Sequence, residues 1–193
     1  MILTSDHRLV LIETARRAIE YGLDHGSRPA FDHSLYPQAL LSPAATFVTL
    51  EKVGQLRGCI GKLEAERPLA EDVAENAYSA AFHDPRFAPV SYDEWRAVEI
   101  HISVLSAPVA LDFNSEPELI AQLRPGLDGL ILKDGRHRAT FLPSVWTSLP
   151  EPRNFVAQLK IKAGFGAAYW SDSLEAFRYE TESFRGAPKT SAL

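Results

Sequence analysis

The sequence has almost no cysteine and no long apolar run, and each shortage excludes a class of protein. A single cysteine, Cys59, among 193 residues rules out an internal disulfide and a paired-thiol metal or redox site. The apolar stretches are far shorter than the roughly 20 residues of a membrane-spanning helix. Residues 1–7 lack the basic and apolar regions of a secretion signal. We therefore expect a soluble, cytoplasmic protein with no membrane association.

Clusters of positive charge and the common cofactor signatures are also missing. The chain has 20 Lys and Arg against 25 Asp and Glu, a formal net charge of −5, whereas nonspecific binding of nucleic acid depends on clustered Lys and Arg. The sequence contains no phosphate-loop, dinucleotide-binding or nucleophile-elbow signature, and its histidines lack the spacing of metal ligands. We therefore expect no nucleic-acid partner, no metal and no cofactor.

What the sequence does contain is a clear order of helical and strand patterns. Apolar residues recur every three or four positions after Ser5 and Asp6, either of which can cap a helix that Gly26 ends. Strict alternation of apolar and polar residues predicts half-buried strands. The predicted elements, in order, are this first helix, a loop over 27–43, a hairpin with strands 46–50 and 56–60, a helix over 68–82, a loop over 83–97, a strand over 98–104, a hairpin over 130–142, a helix over about 153–162 and a last strand over 175–184.

This order predicts an α+β fold with a mainly antiparallel sheet flanked by helices, because hairpins join antiparallel strands and the helices are scattered between them. We expect a single domain over 1–193. Within it, a smaller subdomain over about 46–93 would be inserted in a larger one formed by 1–45 and 94–184. The last nine residues, 185–193, are expected to fray.

The segment 56–61, Leu-Arg-Gly-Cys-Ile-Gly, is the most informative stretch of the sequence. In a regular strand, Leu56 and Ile60 would face the core while Arg57 and Cys59 share the opposite face. A guanidinium near a cysteine favours the thiolate form, which is the reactive one. The alternative interpretation is a buried, inert cysteine in a strand.

Four further residues complete a candidate ligand site with Arg57 and Cys59. Gly58 and Gly61 would let a ligand or another backbone approach closely. Asp84 and Arg86 stand in a rigid Asp-Pro-Arg-Phe turn, and guanidinium groups recognise carboxylates or phosphates in a bidentate manner. The alternative is a helix-exit turn in which Asp84 or Arg86 satisfies nearby backbone groups.

A catalytic interpretation is also open. Glu99 and His101 share one face of the strand over 98–104, so that Glu99 can orient His101. If this strand lies beside the segment 56–61, Cys59 would be a nucleophile with His101 or Glu99 as its base. The backbone amide of one of the two glycines in the segment would then stabilise an oxyanion.

The ordered motifs resemble those of the AMMECR-domain family. The hexapeptide 56–61 looks like the hallmark of that family, and the similarity covers about residues 5–184. Two alanines, Ala44 and Ala45, replace the glycine expected before Phe47, and His101 is not a family hallmark. The other matching segments, in order, are 47–50, 80–81 with 84–87, 99–105, 126–130, 142–146 and 162–164.

The resemblance implies a fold of two α+β subdomains with the hexapeptide near the cleft between them. Bacterial and archaeal relatives look like one component of a system that also has a Memo-like protein and a radical-SAM enzyme, and the resemblance implies no particular reaction. Our first hypothesis is an accessory protein that binds a small molecule or a peptide beside these two partners. The second is an enzyme that uses Cys59 as its nucleophile.

Overall fold

The computed structural model describes residues 3–188, which form two compact units. The first unit extends to Leu105 and resumes at Glu182, and the second comprises Ser106–Thr181. The helices are α1 (Ser5–His25), α2 (Leu69–Phe82), α3 (Tyr92–Trp95), α4 (Glu116–Ala121) and α5 (Pro152–Lys162). The strands are β1 (Thr46–Lys52), β2 (Gln55–Gly61), β3 (Val98–Leu105), β4 (Val109–Ala110), β5 (Gly129–Asp134), β6 (His137–Phe141), β7 (Glu175–Tyr179) and β8 (Thr181–Gly186).

Helix α1 has a well-defined start and stop. The Thr4 side chain accepts a hydrogen bond from the His7 N–H at 3.2 Å, and the His7 ring accepts one from the Thr4 N–H at 3.4 Å. This reciprocal pair satisfies two amides that have no partner inside the helix. Gly26, with φ of +67°, ends the helix in the left-handed conformation, which glycine adopts without strain. The predicted stop is confirmed, and the cap lies just before the predicted Ser5 or Asp6.

The first unit contains a four-stranded sheet in the order β2-β1-β3-β8. Helices α1 and α2 cover one face of this sheet, which we call the helical face, because the apolar residues of β1 and β3 alternate towards it. The predicted hairpin, the second helix and the strand over 98–104 are thereby confirmed. Buried members of this core include Leu11, Ile19, Val48, Leu50, Leu69, Val73, Ile100 and Ile102.

A buried polar cluster ties β1 to α2 inside this core. Asp72 Oδ2 accepts hydrogen bonds from the Thr46 N–H at 2.9 Å and from the Thr46 hydroxyl at 2.6 Å. Asn76 donates to the same carboxylate oxygen at 2.9 Å and to the Thr46 carbonyl at 3.1 Å. Burial raises the pKa of Asp72 above its usual value, although the Thr46 hydrogen bonds oppose this shift.

The second unit contains a sheet in the order β4-β7-β5-β6 with a core of its own. Trp146 stacks on Phe155 of α5 with ring centroids 3.7 Å apart, and the Trp146 ring N–H donates to the Asp128 carbonyl at 2.7 Å. The buried Asp128 carboxylate accepts from the Arg124 backbone N–H at 2.8 Å and from its guanidinium at 2.6 Å. These contacts fix the segment before β5 by satisfying a buried carboxylate.

The predicted last strand, 175–184, is in fact two strands that belong to different sheets. β7 lies in the second sheet and β8 lies beside β3 in the first, with Glu180 between them. Alternation along a chain does not reveal which sheet a strand joins, so the break was not predictable. The expected fraying from residue 185 is also corrected, because Arg185 and Gly186 belong to β8. Residues 189–193 lie outside the described part of the chain.

The two units also divide the chain elsewhere than expected. The subdomain predicted over about 46–93 coincides with neither unit, because β1 pairs with β3 from Thr46↔Val104 to Lys52↔Val98. This pairing joins the segments on both sides of the expected boundary near residue 93. The short elements α3, α4 and β4 were not predicted, because two to six residues are too few to show a period.

Candidate functional site

A β-bulge changes the orientation of the hexapeptide side chains. Leu50 pairs with Gly58 and Glu51 pairs with Leu56, which leaves Arg57 as the extra residue of β2. Leu56 therefore lies on the same side as Glu51, away from the helices, and is 45% exposed. The prediction that Leu56 faces the core is wrong, because the bulge reverses the alternation of the strand at this point.

Arg57 is bound by a carboxylate that the sequence analysis did not identify. Its guanidinium donates to both oxygens of Glu94, at 3.1 and 2.9 Å, and to the Ala88 carbonyl at 2.8 Å. Lys52 also donates to Glu94 at 3.2 Å. The Arg57 hydrogen bonds lower the pKa of Glu94 to about 2, so the carboxylate is ionised at neutral pH. Arg57 thus serves this ion pair. We had predicted that it shares one face of the strand with Cys59, but it is the extra residue of the bulge and its guanidinium is engaged by Glu94.

Asp84 and Arg86 hold the backbone of Cys59 at the free edge of the sheet. β2 is an edge strand, and the Cys59 N–H donates to Asp84 Oδ2 at 2.9 Å. Arg86 donates to the same carboxylate at 2.9 and 2.7 Å and to the Cys59 carbonyl at 3.4 Å. The Arg86 hydrogen bonds hold the pKa of the buried Asp84 well below its usual range. The Asp-Pro-Arg-Phe turn therefore satisfies a nearby backbone group, the Cys59 N–H, as in the second interpretation of this turn given above.

The two glycines of the hexapeptide admit neighbouring backbone. A Cβ on Gly58 would lie 2.1 Å from the Ala80 carbonyl oxygen of α2, and one on Gly61 would lie 2.3 Å from the Thr46 carbonyl oxygen. Successive residues of a strand direct their N–H groups to opposite edges. Since the Cys59 N–H points away from β1, that of Gly58 points towards it and is used in strand pairing. Gly58 is therefore not a free oxyanion donor. Gly61, the other donor of the catalytic hypothesis, directs its N–H to the same edge as Cys59 and is not excluded by the strand pairing.

Cys59 instead belongs to a row of side chains on the sheet face opposite the helices, which we call the polar face. Thr49 pairs with Cys59 on one side and with His101 on the other. The Thr49 hydroxyl donates to the Cys59 sulfur at 3.2 Å. Because β1 separates β2 from β3, Cys59 and His101 are two strand spacings apart, roughly 10 Å. The predicted contact between thiol and imidazole is therefore not made.

His101 has carboxylates as its nearest charged neighbours. Its Nε2 lies 3.4 Å from Glu51 Oε2 and 3.8 Å from Glu99 Oε2, so Glu99 stands beside His101 as predicted. The three side chains are between 22% and 35% exposed. The polar face therefore offers a half-buried set of hydrogen-bond acceptors on the same side of the sheet as the thiol.

Three residues of this region, Thr49, Glu51 and Glu94, were not predicted from the sequence. Thr49 and Glu51 alternate with apolar residues along β1, and that alternation is the signal that places them on one face. Thr49 lies between Cys59 and His101, and Glu51 approaches His101, only because of the strand order, which no local pattern reveals. Glu94 occupies the third position of the capping box that begins α3 at Ser91, so its sequence signal indicates a helix start and not a partner for Arg57.

Residues 3–188 contain neither a cluster of metal ligands nor a membrane-spanning helix. No three His, Cys, Asp or Glu side chains in this part of the chain are grouped in a way that would hold a metal ion. No helix in the same part has the length and apolar character needed to cross a membrane.

The fold and the site together define a class of α+β protein. Its features are two antiparallel sheets and a bulged edge strand that carries the Leu-Arg-Gly-Cys-Ile-Gly segment and is held by an Asp-Pro-Arg-Phe turn. The chain belongs to the AMMECR1 family, whose model matches residues 12–184.

Proteins with similar sequence and structure come from several organisms. A protein of Methanothermobacter thermautotrophicus is 35% identical over 184 residues, covering 94% of this chain and 95% of its own. Protein MJ0810 of Methanocaldococcus jannaschii is 32% identical over 187 residues, covering 95% and 92%. The crystal structure of the uncharacterized protein PH0010 from Pyrococcus horikoshii matches with a TM-score of 0.85 and 30% identity, covering 93% of this chain and 91% of that one.

Proposed function

We propose that this protein is a cytoplasmic binding component, not a catalyst, and that the polar face around Cys59 holds its ligand or partner. The observation that carries this proposal is the internal pairing of the motif residues. Arg57 is matched by Glu94, Arg86 by Asp84, and Asp84 by the Cys59 amide. Residues that are paired in this way build a rigid support, and the side chains left to meet a ligand are those of the polar face.

The chemistry of the polar face favours a ligand with hydrogen-bond donors. Glu51 and Glu99 supply carboxylate oxygens beside His101, and a carboxylate accepts up to about four hydrogen bonds. A peptide supplies suitable backbone N–H groups. The carboxylate or phosphate ligand of our first hypothesis has less support, because both guanidinium groups that would bind it already donate to a carboxylate of the protein, and only Nη1 of Arg57 is buried without a partner.

We further propose that the protein acts with a Memo-like protein and a radical-SAM enzyme. Membership of the AMMECR1 family supports this assignment, together with the resemblance to a component of that three-part system. The ligand of the polar face would then be a segment of one of these partners or a small molecule that they process.

Binding to the two purified partners tests the proposal directly. We expect a complex of this protein with at least one of them in analytical ultracentrifugation, and a weaker complex for Glu51→Lys, which reverses a charge on the polar face. Glu13→Lys is the matched control, since it reverses an exposed charge on α1. Thermal unfolding of both variants establishes that they are folded. If neither partner binds the wild type, or if the two variants bind equally well, the proposed role of the polar face is refuted.

One observation favours the alternative of a nucleophilic Cys59. The Thr49 hydroxyl is 3.2 Å from the sulfur, and Cys59 is only half-buried. Alkylation with iodoacetamide is specific in this protein, because Cys59 is its only thiol. Fast alkylation of the native protein well below pH 8 would favour an enzyme. Alkylation only after unfolding would exclude nucleophilic catalysis, and the binding role would then stand alone.

A further inference from the structure

A cavity of about 300 Å³ opens beside α1 in the first unit, and nothing in the function proposed above uses it. One wall is formed by α1 from Thr14 to Asp24, another by the loop from Pro29 to Tyr36, and Ala74 of α2 contributes to the lining. The volume is at the lower end of the range for small-molecule sites, about 300 to 1,000 Å³. The cavity is therefore large enough for a small organic molecule.

Aromatic and apolar side chains line this cavity and remain partly exposed. Phe31 and Tyr36 stack with ring centroids 4.8 Å apart and planes at 11°. Tyr21 is 38% exposed and Leu35 is 62% exposed. Large apolar side chains that meet at an open concavity are typical of ligand sites. The apolar part of a ligand would bury this surface.

The charges around the cavity are mainly negative. Glu20, Asp24 and Asp32 contribute three carboxylates against the one guanidinium of Arg17. The Ser34 hydrogen bonds lower the pKa of Asp32, so it is ionised at neutral pH. This arrangement attracts cations and repels anions, and Arg17 weakens the attraction without reversing it.

Asp24 and Asp32 keep acceptor capacity for a ligand. Each of them already accepts a hydrogen bond from the protein, but a carboxylate has about four acceptor sites. Protein donors include the Tyr92 hydroxyl to Asp24, the Ser34 N–H and hydroxyl to Asp32, and the Trp95 ring N–H to Glu20. These bonds hold the carboxylates in place, so that they are preorganised for a donor in the cavity.

We propose that the cavity binds a small organic cation, an ammonium group attached to an apolar or aromatic body. The body would pack against Phe31 and Tyr36, and the ammonium would be held by Asp24 with its neighbouring carboxylates. An aromatic ring of the lining that turned one face to the ammonium would add a cation–π attraction. This site lies on α1 and its following loop, so it is independent of the polar face and of the function proposed for it.

Three probes with the same aromatic ring and different charge test this inference. We would titrate 2-phenylethylamine, phenylalanine and 3-phenylpropionate into the isotope-labelled full chain and follow amide chemical shifts. The amine is expected to bind most tightly and the carboxylate most weakly, with the zwitterion between them. The affected amides are expected to be those of α1 and of the loop from Pro29 to Tyr36.

Variants with opposite expected effects separate charge recognition from nonspecific adsorption. Asp24→Asn should weaken binding of the amine about threefold to fivefold, the factor that corresponds to a partly exposed ion pair. Arg17→Gln should strengthen it by a similar factor, and Ala30→Phe, which fills the cavity, should abolish it. Glu13→Gln is the matched control, because it removes a negative charge from α1 outside the cavity, and it should change nothing.

Three results would overturn the proposal. The first is that the amine and 3-phenylpropionate shift the same amides with equal affinity. The second is that Asp24→Asn weakens binding no more than Glu13→Gln. The third is that Ala30→Phe, shown to be folded by its spectrum, still binds the amine. Failure of this site would leave the function proposed for the polar face untouched, since neither Glu51 nor Cys59 takes part in it.

Discussion

Replacing Gly58 by alanine is the most direct test of the packing that supports the hexapeptide. The added Cβ would lie 2.1 Å from the Ala80 carbonyl oxygen and 3.1 Å from the Ala80 carbonyl carbon. Both atoms are backbone atoms of a buried helix, so no side chain can rotate to make room. The edge strand and α2 must separate by roughly 1 Å for the atoms to reach ordinary contact. Such a shift strains the core and disturbs the bond between Asp84 and the Cys59 amide.

We expect Gly58→Ala to lower the free energy of unfolding by about 3 kcal/mol, at the upper end of the cost of overpacking a core. For a chain of this size, this loss corresponds to a fall of roughly 6 to 12 °C in the melting temperature. Urea unfolding followed by tryptophan fluorescence measures the change, because Trp95 reports on the first unit and Trp146 on the second.

Two matched variants make this test specific. Gly166→Ala has no heavy atom within 4 Å of the new Cβ and no positive φ, so its effect should be within about 0.5 kcal/mol of zero. Ala80→Gly should not rescue Gly58→Ala, because the clash involves the carbonyl group of residue 80 and not its methyl group. A loss below about 0.5 kcal/mol for Gly58→Ala, or rescue by Ala80→Gly, would refute the reasoning.

Three further changes test the electrostatics and the backbone strain of the first unit. Asp84→Asn should lower stability by about 1–3 kcal/mol at pH 7, as a buried charged partner is lost. The pKa of Asp84 lies well below its ordinary value of 3.8, so the stability that this carboxylate contributes is present above about pH 4 and is lost as the pH falls below that value. Urea unfolding from about pH 5 to about pH 2 should therefore show less acid destabilisation in this variant than in the wild type. Asp72 has a raised pKa, so its contribution has the opposite sign. The wild type should gain stability relative to Asp72→Asn as the pH falls through that pKa. If the free energies of unfolding of the two proteins changed in parallel with pH, the burial of the Asp72 carboxyl group would be contradicted. Val53 has a φ of +53° and is 86% exposed. Val53→Asn should raise the melting temperature, because it relieves about 1 kcal/mol of backbone strain. An unchanged melting temperature would show that the turn is not strained.

Much of the fold was predictable because its signals are local. The apolar period of α1 and its stop at Gly26 are properties of one short segment, and so is the turn between β1 and β2. Strand β3 shows a strict alternation that indicates both its structure and the residues that face the core. The hexapeptide and the other ordered motifs are also local features, and their resemblance to the family is visible in the sequence alone.

The candidate site was predictable only in part. The sequence analysis placed Glu99 beside His101, because both lie on one strand. The contact between Arg57 and Glu94 was not predicted, because Glu94 belongs to a capping box and that pattern indicates only the start of a helix. The bulge that exposes Leu56 could not be predicted either, because a bulge depends on the pairing of two strands and gives no fixed sequence pattern in either strand.

The sequence by itself therefore determined the three longer helices, the hairpins and the close backbone approach at Gly58. These features depend on interactions between residues that are near each other in the chain, or on the absence of a side chain. Tertiary structure alone decided that β1 lies between Cys59 and His101, and that the last extended segment divides between two sheets. Strand order results from the burial of apolar surface by the whole chain, and equally alternating strands can be arranged in several orders. For this reason the sequence supplied the residues of the polar face, but only the folded sheet determined which of them are neighbours.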